Sequence, residues 1–261
     1  MAGQPQAHYT PGQAQHLSPT LPSLPVAATL TSAKNRILRR KEHLFHAGEP
    51  LSHPYRVMAG VFKSYVVYED GSEQVLGFHL PGDLIGFDAM VGRTTFCAVM
   101  ALDTASVRQL TTAELASLYC KGGESEQSPS HCSAAEVSDS HLHSPVIHSM
   151  YDEILRLTRL LHMERGCSTT SRLASFLLEY AEGQSRRGGS RLTLHLPMKR
   201  RDLAGYLGLA TETLSRAFSQ FRDQGLLAVN TSDIEILNLA GLEAIAAMGP
   251  AASLHSQRNS E

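Results

Sequence analysis

Between Leu44 and Leu110 the chain alternates short strand-type runs with turn signals, and this pattern narrows its possible folds more than any other feature. Residues 60–68 (Gly-Val-Phe-Lys-Ser-Tyr-Val-Val-Tyr) are rich in β-branched and aromatic side chains. Glu69-Asp70-Gly71-Ser72 follows as a turn, and residues 74–78 form the returning strand. Pro81-Gly82 marks another turn before residues 84–87, and further strands fit 97–102 and 105–110. Closely spaced short strands predict a sandwich or barrel and exclude a parallel sheet with crossover helices.

The remainder of the chain reads differently. Ile147, Met150, Ile154, Leu157 and Leu161 recur at spacings of three and four, a heptad seam about two heptads long. The seam fits a helix packed on its own domain or one paired with its copy, and spacing alone does not choose. Another helix is expected over 171–182. A strand over 191–196 leads through Pro197 into a short helix over 198–207, which Gly208 can end in the left-handed conformation. A second helix over 210–224 stops at Gly225, and strands over 226–230 and 234–237 make a hairpin. Two helices joined through a glycine turn and followed by a hairpin predict a winged helix-turn-helix.

The expected organisation is a disordered tail over 1–33, a β domain over 34–118 and a loop insertion over 119–145. A helix over 146–165, the winged unit over 168–245 and a flexible end over 246–261 follow. Residues 1–33 contain no Asp, Glu, Lys or Arg and cannot bury enough apolar surface to offset their ordering entropy. No apolar run approaches the ~20 residues that span a bilayer, and no secretory signal is visible, so a cytoplasmic protein without membrane contact is expected. The four cysteines, 97, 120, 132 and 167, lack metal-type spacing, and the histidines of the insertion lack it too, so no metal site is assigned. A metal-dependent barrel enzyme would need several converging histidines, whereas residues 55–110 contain only His79; no enzyme activity is expected.

Net charge is only -2, but its distribution is uneven. Residues 184–230 hold eight basic side chains against three acidic ones, a possible footprint for a polyanion or an ordinary solvated surface. On a wheel of ~100° per residue, Leu214, Phe218 and Phe221 share one face of the 210–224 helix. Glu212, Ser215 and Arg216 point away from that face. Arg can donate two bonds to guanine and Glu can accept from cytosine in a major groove. The plainer alternative is an exposed i,i+4 ion pair.

Residues 198–209 (Met-Lys-Arg-Arg-Asp-Leu-Ala-Gly-Tyr-Leu-Gly-Leu), followed by Thr211-Glu212-Thr213-Leu214-Ser215-Arg216, resemble the DNA-binding signature of the CRP/FNR family of transcription regulators. The Glu-x-x-Ser-Arg spacing is similar to the FNR branch. Residues 60–65 and 77–89 are also FNR-like, so the resemblance covers roughly 36–118 and 146–240. It implies an α+β architecture: an N-terminal β-roll of the cyclic-nucleotide-binding type, a long dimerisation helix and a C-terminal winged helix-turn-helix. It further implies a homodimer reading a near-palindromic TTGAT-type site on double-stranded DNA and contacting RNA polymerase. Glu212, Ser215 and Arg216 would read bases with Thr211 beside the groove, and Lys199, Arg200 and Arg201 would contact phosphates. The seam residues would then pair two chains.

The chain departs from the family at three places. FNR-type oxygen sensors hold an iron–sulfur cluster on N-terminal cysteines plus one in the β domain. Here no cysteine precedes Cys97 and the β-domain position falls on Arg108, so no cluster or other cofactor is expected. Cyclic-nucleotide binders carry an Arg-Ser pair for the phosphate, whereas this chain has Phe96-Cys97. A receptor for a cyclic nucleotide or other small molecule is therefore the alternative reading. Finally, Ala210 occupies the N-cap of the reading helix, where Ser or Thr is usual, with Thr211 as a possible substitute.

Overall fold

The computed structural model describes residues 33–87, 94–111, 113–115, 168–185 and 188–248. The insertion over 119–145 and the seam helix with Ile147, Met150, Ile154, Leu157 and Leu161 lie outside the described residues, as do residues 1–32 and 249–261 of the expected flexible ends, whereas Ala246 and Ala247 of the C-terminal end belong to a helix.

Eight strands build the N-terminal β domain: β1 (Asn35–Leu38), β2 (His43–Phe45), β3 (Tyr55–Ala59), β4 (Phe62–Val67), β5 (Glu73–His79), β6 (Leu84–Ile85), β7 (Ala98–Ala101) and β8 (Ala105–Gln109). They form two four-stranded antiparallel sheets, β1-β8-β3-β6 and β2-β7-β4-β5. Between them lies a core of Leu38, Phe45, Val57, Phe62, Val99 and Val107 with their neighbours. The β4–β5 hairpin turns at residues 68–72, where Ser72 N–H donates to Asp70 Oδ1 at 2.8 Å and Gly71 takes φ 78°. Gly60 has φ 76°, and a Cβ there would stand 2.6 Å from that of Ala105, so only glycine fits between β3 and β4. The five strands given bounds in the sequence are present, four of them trimmed at their ends and β5 one residue longer at each end, and β1, β2 and β3 are additions to them.

The C-terminal unit contains α1 (Thr169–Ser185), β9 (Thr193–His195), α2 (Arg200–Leu207), α3 (Thr211–Asp223), β10 (Leu227–Asn230), β11 (Asp233–Ile236) and α4 (Leu239–Ala247). The three strands make one antiparallel sheet in the order β10-β11-β9. Helices and hairpin close over Leu173, Leu177, Leu203, Leu207, Leu214 and Phe221, all at most 1% exposed. This core is continuous with Val61, Val75, Leu80 and Leu102 of the β domain, so the two units share packed apolar surface.

Candidate nucleic-acid interface

The turn that sets α3 against α2 is held from three sides. Gly208 caps α2 with φ 64° and ψ 38°, the left-handed geometry expected of it. Leu209 N–H reaches back to Ala204 O at 2.9 Å. Arg172 of α1 donates Nη1 to Leu207 O at 3.1 Å, placing a cation on carbonyls that a helix end leaves unpaired. Tyr180 donates its hydroxyl to His195 O at 2.9 Å and so ties α1 to β9.

On α3 the apolar and polar faces separate as the wheel predicts. Leu214, Ala217, Phe218 and Phe221 are buried, while Glu212, Thr213, Ser215 and Arg216 are exposed and Thr211 is partly covered. Ser215 Oγ donates to Thr211 O at 2.9 Å, leaving its lone pairs free to accept. The i,i+4 ion pair between Glu212 and Arg216, the plainer alternative, does not form: no salt bridge joins them among the described residues. Two solvated charges gain little from pairing in water. Ser215, Arg216, Ser219, Gln220, Asp223 and Gln224 line a shallow depression along the same face. Ala210 is the N-cap, in extended geometry with no side-chain hydrogen bond, and Thr211 does not replace it.

The three basic residues before α3 have different surroundings. Lys199 and Arg201 are exposed. Arg200 lies with its guanidinium carbon 3.6 Å from the centroid of the Phe218 ring, and burial lowers its pKa without discharging a group this basic. It therefore braces α2 on α3 through an aromatic face, a role the sequence reading of a plain phosphate contact omits. On the hairpin behind α3, His195 Nδ1 and Asp233 Oδ1 are 2.7 Å apart, joining β9 to β11.

The same reading also missed Lys63. Its position on β4 suggests nothing unusual, yet its side chain is only 4% exposed. Nζ lies 3.0 Å from Glu73 Oε2 and 3.3 Å from Asp202 Oδ1 of α2. His79, the one histidine of residues 55–110, pairs with Ser64 Oγ at 3.0 Å inside the β domain. Among the described residues no group of three or more His, Cys, Asp or Glu could hold a metal, and no helix is long and apolar enough to cross a membrane. Arg108, at the family's β-domain thiolate position, forms a 2.6 Å ion pair with Glu114. A guanidinium bound in this way is no iron ligand.

This architecture defines a class: a β-roll joined to a helix-turn-helix unit whose second helix presents polar groups to solvent. Comparison with known proteins supports that class and narrows it. The cyclic nucleotide-binding domain family matches residues 35–121, and the Crp-like helix-turn-helix domain family matches residues 171–245. The "Anaerobic regulatory protein" of Aggregatibacter actinomycetemcomitans is 34% identical over 209 residues, covering 80% of this chain and 75% of that protein. The "Transcriptional activator protein anr" of Pseudomonas aeruginosa is 30% identical over 213 residues, covering 82% of this chain and 80% of that one. The solved structure of FixK2 from Bradyrhizobium japonicum superposes with a TM-score of 0.64 at 28% identity, covering 82% of this chain and 97% of that one. The chain belongs to the CRP/FNR family of transcription regulators, on its FNR-like side.

Proposed function

We propose that this regulator binds a near-palindromic TTGAT-type site as a homodimer, with one α3 from each chain in successive major grooves. The observation that carries this reading is the division of α3: Leu214, Phe218 and Phe221 are buried, and Glu212, Ser215 and Arg216 are exposed on the opposite side. An Arg there can donate two bonds to guanine O6 and N7, and a Glu can accept from a cytosine amino group. Lys199 and Arg201 lie exposed at the start of α2, where they can contact phosphates and add affinity without sequence choice. Arg200 is held on Phe218, so its phosphate contact would come with less freedom. Two half-sites about one helical turn apart, ~34 Å, demand two reading helices at that separation, and hence a dimer. Bound beside a promoter, such a dimer would act by touching RNA polymerase. The relative from Pseudomonas aeruginosa is named a transcriptional activator, and activation is the direction proposed here.

Arg216→Ala tests the base-reading assignment by gel shift at fixed salt. Affinity for the TTGAT-type palindrome should fall by about 1–3 kcal/mol per half-site, with a smaller effect on scrambled DNA. An equal loss on both duplexes would reduce Arg216 to a phosphate contact.

A further inference from the structure

The β4–β5 hairpin meets α2 through contacts that are directional as well as apolar. Lys63 and Phe78 are register partners across the hairpin. Lys63 Nζ reaches Asp202 Oδ1 at 3.3 Å, and Gln74 Nε2 donates to Gly205 O at 3.1 Å. Phe78 packs edge-on against Tyr206 with ring centroids 5.2 Å apart, and both rings meet Phe176 of α1. Asp202, Gly205 and Tyr206 are spaced three and four apart, so one stripe of α2 takes all three contacts.

A nearly buried lysine is a poor way to gain stability alone. Its desolvation costs several kcal/mol, and an apolar side chain of similar size would pack the same space as well or better. What the ion pair adds is direction. Apolar surfaces tolerate sliding, whereas an ammonium held between Glu73 and Asp202, over the Tyr65 ring at 4.6 Å, has one best position. The turn at Gly208 and the Arg172 bond to Leu207 then pass the tilt of α2 on to α3. In this docked arrangement Glu212, Ser215 and Arg216 remain exposed, so the contact does not cover the reading face.

We propose that Lys63 and Asp202, assisted by Gln74 and Phe78, form a strut that fixes the angle of α3 on the β domain and thereby sets the half-site spacing that a pair of chains accepts. The proposal rests on dimeric DNA reading. Lys63 and Asp202 are positioning residues that touch no base. Moving a half-site by one base pair displaces it by ~3.4 Å and turns it by ~34°, enough to misalign a reading helix held at a fixed angle.

The test measures the Kd of full-length protein for TTGAT-type palindromes whose half-sites are at the best spacing and one base pair closer or farther. It uses wild type, Asp202→Asn and the double variant Lys63→Met/Asp202→Leu. The double variant replaces the pair with apolar groups, so its thermal melt should stay close to wild type. Wild type should show a sharp optimum. In both variants the penalty for wrong spacing should shrink at least about twofold, the lower end of coupling between residues in contact. Spacing tolerance is the readout that mere loss of stability would not change. An unchanged spacing profile in a folded double variant overturns the strut. Failure of wild type to prefer any palindrome over scrambled DNA overturns the dimeric reading beneath it, and the strut with it.

Discussion

Arg200 and Lys63 are both cations at the edge of the helix-turn-helix, and neither is a freely solvated charge. Arg200 lies on Phe218, and Lys63 lies between two carboxylates. Ala210 represents the opposite case, an N-cap that leaves helix donors without a side-chain partner. Ala210→Ser should stabilise the protein by roughly 0.5–2 kcal/mol, seen as a higher urea midpoint with unchanged slope. An unchanged midpoint would mean that a neighbouring group or solvent already satisfies those amides. The outward placement of Glu212, Ser215 and Arg216 was legible in the sequence because three apolar residues at helical spacing fix which way an isolated helix faces. Lys63 was not legible. Its partner Asp202 lies 139 residues farther along, and local strand pattern carries no record of so distant a carboxylate.

At the scale of elements, most boundaries followed from turn chemistry. Gly208 and Gly225 stop α2 and α3 with φ of 64° and 69°, and Gly71 turns the β4–β5 hairpin. Four elements escaped, β2 and β3 among them. β1 is exposed at three of its four residues, so alternation was invisible, and its pairing with β8 defines it. α4 is short, small-residue-rich and buries only Leu242, although Asn238 caps it by accepting from Gly241 N–H at 2.9 Å, a signal the sequence did contain. On β2, burial lowers the pKa of His43, with His46 and Lys63 adding to the effect. Its neutral ring exchanges a 2.7 Å hydrogen bond with Tyr65. A base whose folded pKa lies below its ordinary 6.5 stabilises the fold above that value, and the contribution is lost as pH falls through the folded pKa. Urea midpoints should therefore drop between about pH 7.5 and pH 5, and less steeply in His43→Gln. Equal slopes in both proteins would remove His43 from the acid response.

For the whole molecule, the β-roll and the helix-turn-helix are not beads on a string. One apolar core runs from Val61 and Val75 into Leu203 and Phe218, with the Lys63–Asp202 pair at its rim. Order along the chain, strands first and helices after, was readable from the change in periodicity. The docking between the units was not, because it depends on which faces meet after each has folded. The central claim is that this docked arrangement presents a base-reading surface to DNA. Competition binding of wild type at fixed, near-physiological salt measures it most directly, with a TTGAT-type palindrome against a scrambled duplex of the same composition. The palindrome should bind about 10³-fold tighter or more. Equal affinity for the two duplexes would contradict the account.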